Sequence, residues 1–203
     1  MQVKVCGLKT VEQVKSCVKY GANFCGFILN YKNSHRFINY QTADRLTQIN
    51  KKKTAYVGVL VNPTMNEFKT FSNLKLDYFQ IYGDFSLKQI ASIKSKYGKK
   101  IIMALQIREK QDILKYKVYE NIADIILFDS SGLHRSLSWD YNWIKKVPSS
   151  IKRMIAGNIK IDMLENLREI TDIVDVSGAL ETDKVKDLIK IKTFLKKVKQ
   201  IND

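Results

Sequence analysis

Residues 4–14 read KVCGLKTVEQV, and this segment carries the signals of a strand followed by a helix. A short apolar run ends at Cys6, directly before a glycine. Thr10 and Gln13 then have the spacing of a capping box, in which each side chain accepts a hydrogen bond from the backbone of the other. The segment therefore predicts a strand that ends at Cys6 and a helix over residues 11–20.

The same alternation recurs along the rest of the chain. Seven further short apolar runs are bounded by Gly, Asn, Asp or Pro, and helix-period segments lie between them. Most runs are continuously apolar, as expected of parallel strands that helices cover. The predicted strands cover residues 3–5, 24–29, 55–61, 78–81, 101–105, 124–128, 153–156 and 172–176. The predicted helices cover residues 11–20, 41–51, 64–72, 86–97, 109–120, 140–146, 161–170 and 184–199.

Eight strands that alternate with eight helices favour an α/β fold with a closed parallel sheet. We expect a single-domain (β/α)8 TIM barrel of eight parallel strands over residues 1–203, which is short for this fold. A doubly wound open sheet is the alternative. Its dinucleotide-binding form requires G-x-G-x-x-G after the first strand, whereas residues 6–11 read CGLKTV.

Composition excludes several classes of site and predicts the compartment. No apolar stretch approaches the roughly 18 residues of a membrane span, and no signal peptide is evident, so we expect a soluble cytoplasmic protein with no membrane partner. The odd number of cysteines, without C-x-x-C spacing, argues against a disulfide framework or a zinc site. With two histidines, a histidine-rich metal site is excluded as well. These residues are Cys6, Cys17, Cys25, His35 and His134.

The net charge of +15 raises the alternative of a polyanion-binding protein. The lysines are dispersed along the chain, however, and fit solvated helix faces and turns. We therefore expect no specific nucleic-acid partner. A polyanion-binding protein would show RNA affinity that falls steeply with salt.

Polar side chains at the predicted strand ends are the candidates for chemistry, because a TIM barrel carries its active site there. Cys6 ends the first strand and can act as a thiolate base if a nearby cation or helix start lowers its pKa; its other reading is a buried thiol. Asp129 ends the sixth strand, where a buried carboxylate is costly unless it is hydrogen-bonded or functional. The alternative interpretation of Asp129 is a loop residue or a helix cap. Arg36, in the loop after the second strand, can pair with a carboxylate or a phosphate, or remain solvated.

The ends of the seventh and eighth strands are where such barrels often bind phosphate. Small residues there allow a phosphate to approach backbone N–H groups, although ordinary turns use the same residue types. The candidates are Gly157, Asn158, Ser177, Gly178 and Ala179.

These segments, in order, resemble the phosphoribosylanthranilate isomerase family over the whole chain. Residues 3–14 are similar to the family's lysine-(isoleucine or valine)-cysteine-glycine-leucine start. The second strand–helix unit is similar to the family's series of glycine-alanine, glycine-phenylalanine and serine-proline-arginine. The later segments are similar to the loops that follow the family's strands. The segments are GANFCGFILNYKNSHRFI at 21–38, FQIYGD at 79–84, IILFDSS at 125–131, MIAGNI at 154–159 and VDVSGALE at 174–181.

The resemblance implies an Amadori rearrangement of a phosphosugar in tryptophan biosynthesis, without a metal or an organic cofactor. It implies that Asp129 is the general acid that opens the furanose ring and that Cys6 is the general base at the adjacent carbon. It places Arg36 at the anthranilate part of the substrate. Gln80 and Asp175 lie in the matching segments and are expected to bind substrate. The expected assembly is a monomer or a homodimer.

The chain departs from the family pattern at several loop positions. Tyr82 stands where the family has histidine, and Asn158 stands where it has a second glycine. Asn tolerates the left-handed conformation, and Gly178 can supply the freedom that a neighbour lost. The glycine-rich stretch after the sixth strand reads GLHRSLSWDY, which leaves open whether His134 or Arg135 contacts the substrate. Another phosphosugar enzyme of altered specificity is therefore the second reading.

Overall fold

The computed structural model of the chain describes residues 1–130 and 138–203. Eight parallel strands form a closed barrel in the order β1 to β8, and β1 pairs with β8 to complete the ring. The expected single-domain TIM barrel is therefore confirmed, whereas the domain limits of 1–203 stay a prediction. The strands are β1 Gln2–Cys6, β2 Phe24–Ile28, β3 Ala55–Val61, β4 Tyr78–Tyr82, β5 Lys100–Ile107, β6 Ile125–Ser130, β7 Arg153–Ile155 and β8 Ile173–Val176.

Apolar residues cover both faces of the ring, which explains why the strands are continuously apolar. One buried cluster fills the barrel interior and includes Ile125 and Leu127 of β6, and a larger cluster packs the helices onto the outer face. Side chains of a strand alternate between the two faces. Asp129 therefore lies on the same face of β6 as Leu127 and points into the barrel. On β1, Lys4 and Cys6 likewise share the interior face.

Helices surround the ring, and the first begins as its sequence predicts. Thr10 accepts a hydrogen bond from the backbone of Gln13 at 3.3 Å, and Gly21 ends the helix with a left-handed φ of 87°. The α-helices are α1 Val11–Tyr20, α2 Tyr40–Thr47, α3 Met65–Ser72, α4 Leu87–Tyr97, α5 Tyr116–Tyr119, α6 Leu164–Leu167 and α7 Leu188–Asn202.

Three of the expected helices are largely 3-10 turns instead. Segment 109–120 is a 3-10 helix over Lys110–Lys115 followed by the single turn α5, and segment 161–170 is a 3-10 helix over Ile161–Met163 followed by α6. Segment 140–146 is a 3-10 helix over Tyr141–Lys146 alone. Segments this short contain too few turns for apolar spacing to separate the two helix types.

The last helix begins later than expected, at Leu188. Residues Glu181–Thr182 (β9) and Val185–Lys186 (β10) form a small antiparallel hairpin before it. The hairpin turns at two residues with positive φ, and Asp187 then caps α7 by accepting from the backbone N–H groups of Ile189 and Lys190. None of the helices in the described ranges is long and apolar enough to cross a bilayer.

Candidate active site

A cavity of about 240 Å³ opens at the carboxyl ends of the strands. All ten residues that the sequence singled out line it, although their roles stay predictions. They are Cys6, Arg36, Gln80, Asp129, Gly157, Asn158, Asp175, Ser177, Gly178 and Ala179. The possible contacts of His134 and Arg135 lie outside the described residues.

Two glycines explain the surroundings of the Cys6 thiol. A Cβ atom on Gly26 would lie 2.9 Å from Cys6 Sγ and 3.2 Å from Lys4 Cε, so the missing side chain makes room for both. Gly7 has a φ of 80°, and a Cβ atom there would lie 2.5 Å from Arg36 Cδ. The cysteine–glycine pair of the first segment thus ends the strand and leaves space for Arg36 to cross it.

Lys4 is a buried cation beneath the cavity, and the sequence analysis did not identify it. Its ammonium nitrogen lies 2.7 Å from Asp175 Oδ2, and both side chains are buried. Burial opposes the charge, but Asp175 and Cys6 outweigh it and raise the pKa of Lys4. Lys4 therefore remains an ammonium group in the folded protein. The sequence did contain a sign of this: Lys4 stands two residues before Cys6 in an apolar strand. Side chains two residues apart in a strand lie on the same face, so Lys4 had to be near Cys6.

The pKa of the Cys6 thiol is raised, whereas the prediction of a thiolate base required a lowered pKa. Burial is the largest cause, and the positive charge of Lys4 and a hydrogen bond from it act in the opposite direction. The expected cation is therefore present, but it only partly offsets desolvation. Without a ligand, Cys6 is a thiol at neutral pH.

Asp129 is a carboxyl group whose pKa suits a proton donor. Burial raises its pKa to about 6, and the nearby Asp175 charge adds to this. The hydroxyl of Tyr82 donates to Asp129 Oδ2 at 2.7 Å and opposes the rise. Gln80 Nε2 in turn donates to the Tyr82 hydroxyl oxygen at 3.2 Å. The carboxyl therefore changes its protonation state near neutral pH.

Two acceptor oxygens of the cavity have no partner within the described part of the chain. These buried atoms are Gln80 Oε1 and Asp175 Oδ1. A buried acceptor without a donor is costly. The cavity therefore offers two acceptors to the hydroxyl or N–H groups of a ligand.

Arg36 is anchored at the rim by the Glu181 carboxylate, which excludes the reading of a freely solvated charge. Its Nε and Nη2 atoms donate to the two carboxylate oxygens at 2.6 and 2.9 Å. Lys186, buried beside them, also forms an ion pair with Glu181. Burial opposes ionisation of Glu181, but the hydrogen bonds from the two cations lower its pKa to about 2. Lys186 is a second residue that the sequence analysis missed.

The loop after β7 has a left-handed backbone and is fixed by side-chain hydrogen bonds. Gly157 and Asn158 both have positive φ, of 105° and 50°, so asparagine adopts the left-handed conformation as expected. Tyr141 donates to the carbonyl oxygen of Gly157, and Asn158 Nδ2 donates to Ser138 at 2.9 Å. Within residues 1–130 and 138–203, the backbone N–H groups of Gly157 and Asn158 donate to no other group. They remain available to a ligand.

Gly178 lies in the loop after β8 and was expected to adopt a backbone conformation that other residues avoid. It does not, since its φ is not positive, unlike that of the described glycines at turns. A Cβ atom there would lie 3.5 Å from Arg36 Nη2, an ordinary van der Waals distance, so space does not require glycine at this position either. Ser177 donates from its hydroxyl to the Cys6 carbonyl oxygen at 3.0 Å and so joins this loop to the end of β1. No cluster of three or more potential metal ligands occurs in the ranges that the structure covers.

Comparisons with known proteins agree with this architecture. The family model of N-(5′-phosphoribosyl)anthranilate isomerase matches residues 3–197. The enzyme of that name from Rhizobium johnstonii is 31% identical, over 98% of this chain and 95% of its own. The crystal structure of phosphoribosyl anthranilate isomerase from Thermotoga maritima has a TM-score of 0.88 at 24% identity, covering 98% and 99% of the two chains.

A second solved structure is that of a phosphoribosyl anthranilate isomerase in complex with reduced 1-(o-carboxyphenylamino)-1-deoxyribulose 5-phosphate. Its TM-score is 0.85 at 23% identity, covering 98% of this chain and 99% of the other. At these identities the solved structures establish the fold alone. The family model and the relative cover almost the full chain, and on that basis this protein belongs to the phosphoribosylanthranilate isomerase family.

Proposed function

We propose that the chain converts N-(5′-phosphoribosyl)anthranilate into 1-(2-carboxyphenylamino)-1-deoxyribulose 5-phosphate, an Amadori rearrangement of tryptophan biosynthesis. The observation that carries the proposal is a thiol and a carboxyl group in one cavity of a barrel of this family. Cys6 and Asp129 extend from different strands toward that cavity, so a substrate can lie between an acid and a base.

Asp129 acts first, as the general acid. Its carboxyl group gives its proton to the ring oxygen, and the bond between that oxygen and the anomeric carbon breaks. The lone pair of the anthranilate nitrogen forms a carbon–nitrogen double bond, which yields an open-chain protonated imine. The pKa of about 6 suits this step, because a carboxyl near that value still donates at neutral pH.

Cys6 acts second, as the general base. Its thiolate takes the proton from the carbon next to the imine, and the electron pair forms a carbon–carbon double bond while the nitrogen becomes neutral. The resulting enolamine loses its hydroxyl proton and gains a proton at the former anomeric carbon to give the ketone. Because the imine acidifies the transferred proton, a thiolate is a sufficient base.

The remaining cavity residues bind the two anionic ends of the substrate and its hydroxyl groups. Gly157 and Asn158 supply for the phosphate two backbone N–H groups that donate to no other group in the described part of the chain. Ser177, Gly178 and Ala179 border the phosphate from the loop after β8. Arg36 faces the anthranilate carboxylate. Gln80 Oε1 and Asp175 Oδ1, which lack a partner among the described residues, accept hydrogen bonds from the sugar or the amine. Together with Arg36 they determine the specificity for the substrate.

The proposed function is tested by measuring which substrate the protein converts. Purified protein is incubated with N-(5′-phosphoribosyl)anthranilate and, separately, with unsubstituted pentose phosphates, and the products are separated and weighed by mass spectrometry. Only the first is expected to react, and it is expected to give the ketone. Turnover of a pentose phosphate alone would favour another phosphosugar enzyme. Salt-steep RNA binding without any turnover would favour the polyanion-binding reading.

The proposed assembly is a monomer or a homodimer, and the proposed compartment is the cytoplasm. A similar enzyme from Thermotoga maritima is dimeric and has also been obtained as monomers, which supports the first proposal. All three cysteines are free, which fits a reducing compartment such as the cytoplasm. Sedimentation of the purified protein determines the first point, and fractionation of cells the second.

A further inference from the structure

Tyr82 is the member of the cavity that departs from the family pattern and directly contacts the proposed acid. It lies at the end of β4, two residues after Gln80 and on the same face of the strand. Its hydroxyl oxygen lies 2.7 Å from Asp129 Oδ2, a short distance for a hydrogen bond between two oxygens. A histidine at this position would present a different donor at a different distance from the backbone.

The neighbours of the Tyr82 hydroxyl determine which way its hydrogen bond runs. A phenol has one proton, and Gln80 Nε2 already donates to its oxygen at 3.2 Å. The phenol proton must therefore point to Asp129. Burial, and then the Asp129 charge, raise the pKa of Tyr82 well above its ordinary value, so the phenol keeps its proton whenever Asp129 titrates.

We infer that Tyr82 is a positioning residue that, together with Gln80, orients Asp129 and stabilises its carboxylate. Because Tyr82 occupies Oδ2, the acidic proton belongs on Oδ1. When that proton leaves for the ring oxygen, the Tyr82 bond becomes charge-assisted and therefore stronger. Tyr82 keeps its own proton throughout. For its effect on turnover, the inference rests on the proposed function.

Other groups around Asp129 must be separated from the effect of Tyr82. The Asp175 carboxylate of β8 raises the pKa of Asp129, whereas the Lys4 ammonium of β1 and the backbone N–H of Ser130 lower it. Tyr141 lies near enough for Asp129 to influence it. Replacing Tyr82 by phenylalanine removes one hydroxyl and leaves all of these groups in place.

The test is a titration of the Asp129 carboxyl carbon by NMR in ligand-free protein labelled at aspartate. In Tyr82→Phe, we expect the midpoint of Asp129 to rise by about one pH unit and kcat to fall about tenfold, with KM little changed. Placing 3-fluorotyrosine at position 82, a stronger donor, is expected to move the midpoint in the opposite direction. The matched control is Tyr78→Phe, which removes a hydroxyl from the same strand at the other end of the barrel.

The titration needs no turnover, so it distinguishes the two proposals. A wild-type protein that fails to isomerise the substrate would reject the function but would still report on the Tyr82–Asp129 pair. An unchanged Asp129 midpoint in Tyr82→Phe, or an equal shift in Tyr78→Phe, would overturn the inference while the isomerase activity stood.

Discussion

The charge on Lys4 governs how readily Cys6 loses its proton. The two side chains share one face of β1, and Gly26 leaves space for both. Desolvation alone would hold Cys6 in the thiol form, and the ammonium group is what keeps the thiolate accessible. In the proposed mechanism the base is therefore a pair of residues, of which only the cysteine carries the reactive atom.

Replacing Lys4 by methionine is expected to raise the pKa of Cys6 further and to lower kcat/KM about tenfold or more. The measurement is the rate at which a small alkylating reagent modifies Cys6 as a function of pH. Cys17 and Cys25 are fully buried and should not compete. Lys94→Met, which removes an ion pair with Asp124 at the opposite end of the barrel, is the control. An unchanged pH dependence in Lys4→Met would show that Lys4 has no such role.

The pH dependence of kcat/KM follows from the two pKa shifts. In the proposed mechanism the reacting form has a protonated Asp129 and a Cys6 thiolate. The pKa of Asp129 is about 6, however, and that of Cys6 lies above its usual value. Between these values a small, constant fraction of molecules has the proton on Asp129 instead of Cys6. Below pH 6 both groups are protonated, so this fraction falls.

We therefore expect kcat/KM to rise as the pH increases through about 6, to stay level, and to fall only in the alkaline range. Initial rates at low substrate concentration, in buffers of constant ionic strength, give this profile. Activity that already declines as the pH rises above 6 would mean that the two groups titrate in the opposite order.

Sequence reasoning predicted the proposed acid and base, both of which line the cavity, but not the charged residues packed around them. Cys6 and Asp129 end apolar strands, where a polar side chain is conspicuous. Lys4 lies inside a strand and Lys186 near a turn, and a lysine in such places usually reaches solvent. Their burial depends on partners 171 and 5 residues away, Asp175 and Glu181 respectively. Only the closed ring brings the first pair together.

At the scale of elements, local capping defines where most helices begin. Thr64 accepts from the backbone of Glu67 at 3.2 Å, and the Glu67 side chain accepts in return from the backbone of Thr64 at 2.8 Å. This capping box opens α3, as the corresponding box at Thr10 opens α1. Such pairs are visible in sequence because all of their members lie within four residues.

Thr64→Ala is expected to lower the free energy of unfolding by about 1 kcal/mol, because the backbone N–H of Glu67 in the first turn of α3 loses its acceptor, the Thr64 hydroxyl. Urea denaturation followed by circular dichroism measures the change. Thr70→Ala, within the same helix and exposed, removes only a bond to the Asn66 carbonyl and serves as the control. Equal losses in the two variants would contradict a capping role for Thr64.

The elements that sequence reasoning predicted least well are those whose form depends on tertiary contacts. The segment 140–146 is tied to β7 by Trp139 and Tyr141, which donate to the carbonyl oxygens of Ala156 and Gly157. The hairpin before α7 depends on Asp183 and Lys184 adopting positive φ, which is uncommon for these residues. Apolar spacing carries no signal for either feature.

At the scale of the whole molecule, Glu181 joins two parts of the rim that are far apart in sequence. Its carboxylate connects the loop after β2, through His35 and Arg36, to the hairpin strand that contains Lys186. The pKa of Glu181 is about 2, below its ordinary value of 4.5. A lowered carboxyl pKa stabilises the fold above the unfolded-state value, and this stabilisation is lost as the pH falls toward 2.

Glu181→Gln is therefore expected to lower stability at neutral pH and to flatten its decline between about pH 4.5 and 2. Thermal unfolding over that pH range provides the measurement. Glu169→Gln, which changes an exposed carboxylate of the outer surface, is the control. A decline in Glu181→Gln as steep as in wild type would place the acid-sensitive group elsewhere.

The ring itself was the most predictable feature of the molecule, because eight strand–helix units leave few other ways to bury continuously apolar strands. Closure then brings β1, β4, β6 and β8 around one cavity, which no single segment encodes. Cys6, Tyr82, Asp129 and Asp175 meet there. The proposed reaction depends on this convergence more than on any one loop.

The most direct test of the account is the value of kcat/KM for N-(5′-phosphoribosyl)anthranilate in wild type, Cys6→Ala, Asp129→Asn and the control Cys17→Ala, whose thiol is buried away from the cavity. We expect the first two variants to fold and to lose about 100-fold to 10,000-fold in kcat/KM, as removal of an acid or a base does. The control should retain nearly all activity. Full activity in Cys6→Ala or in Asp129→Asn would contradict the central claim.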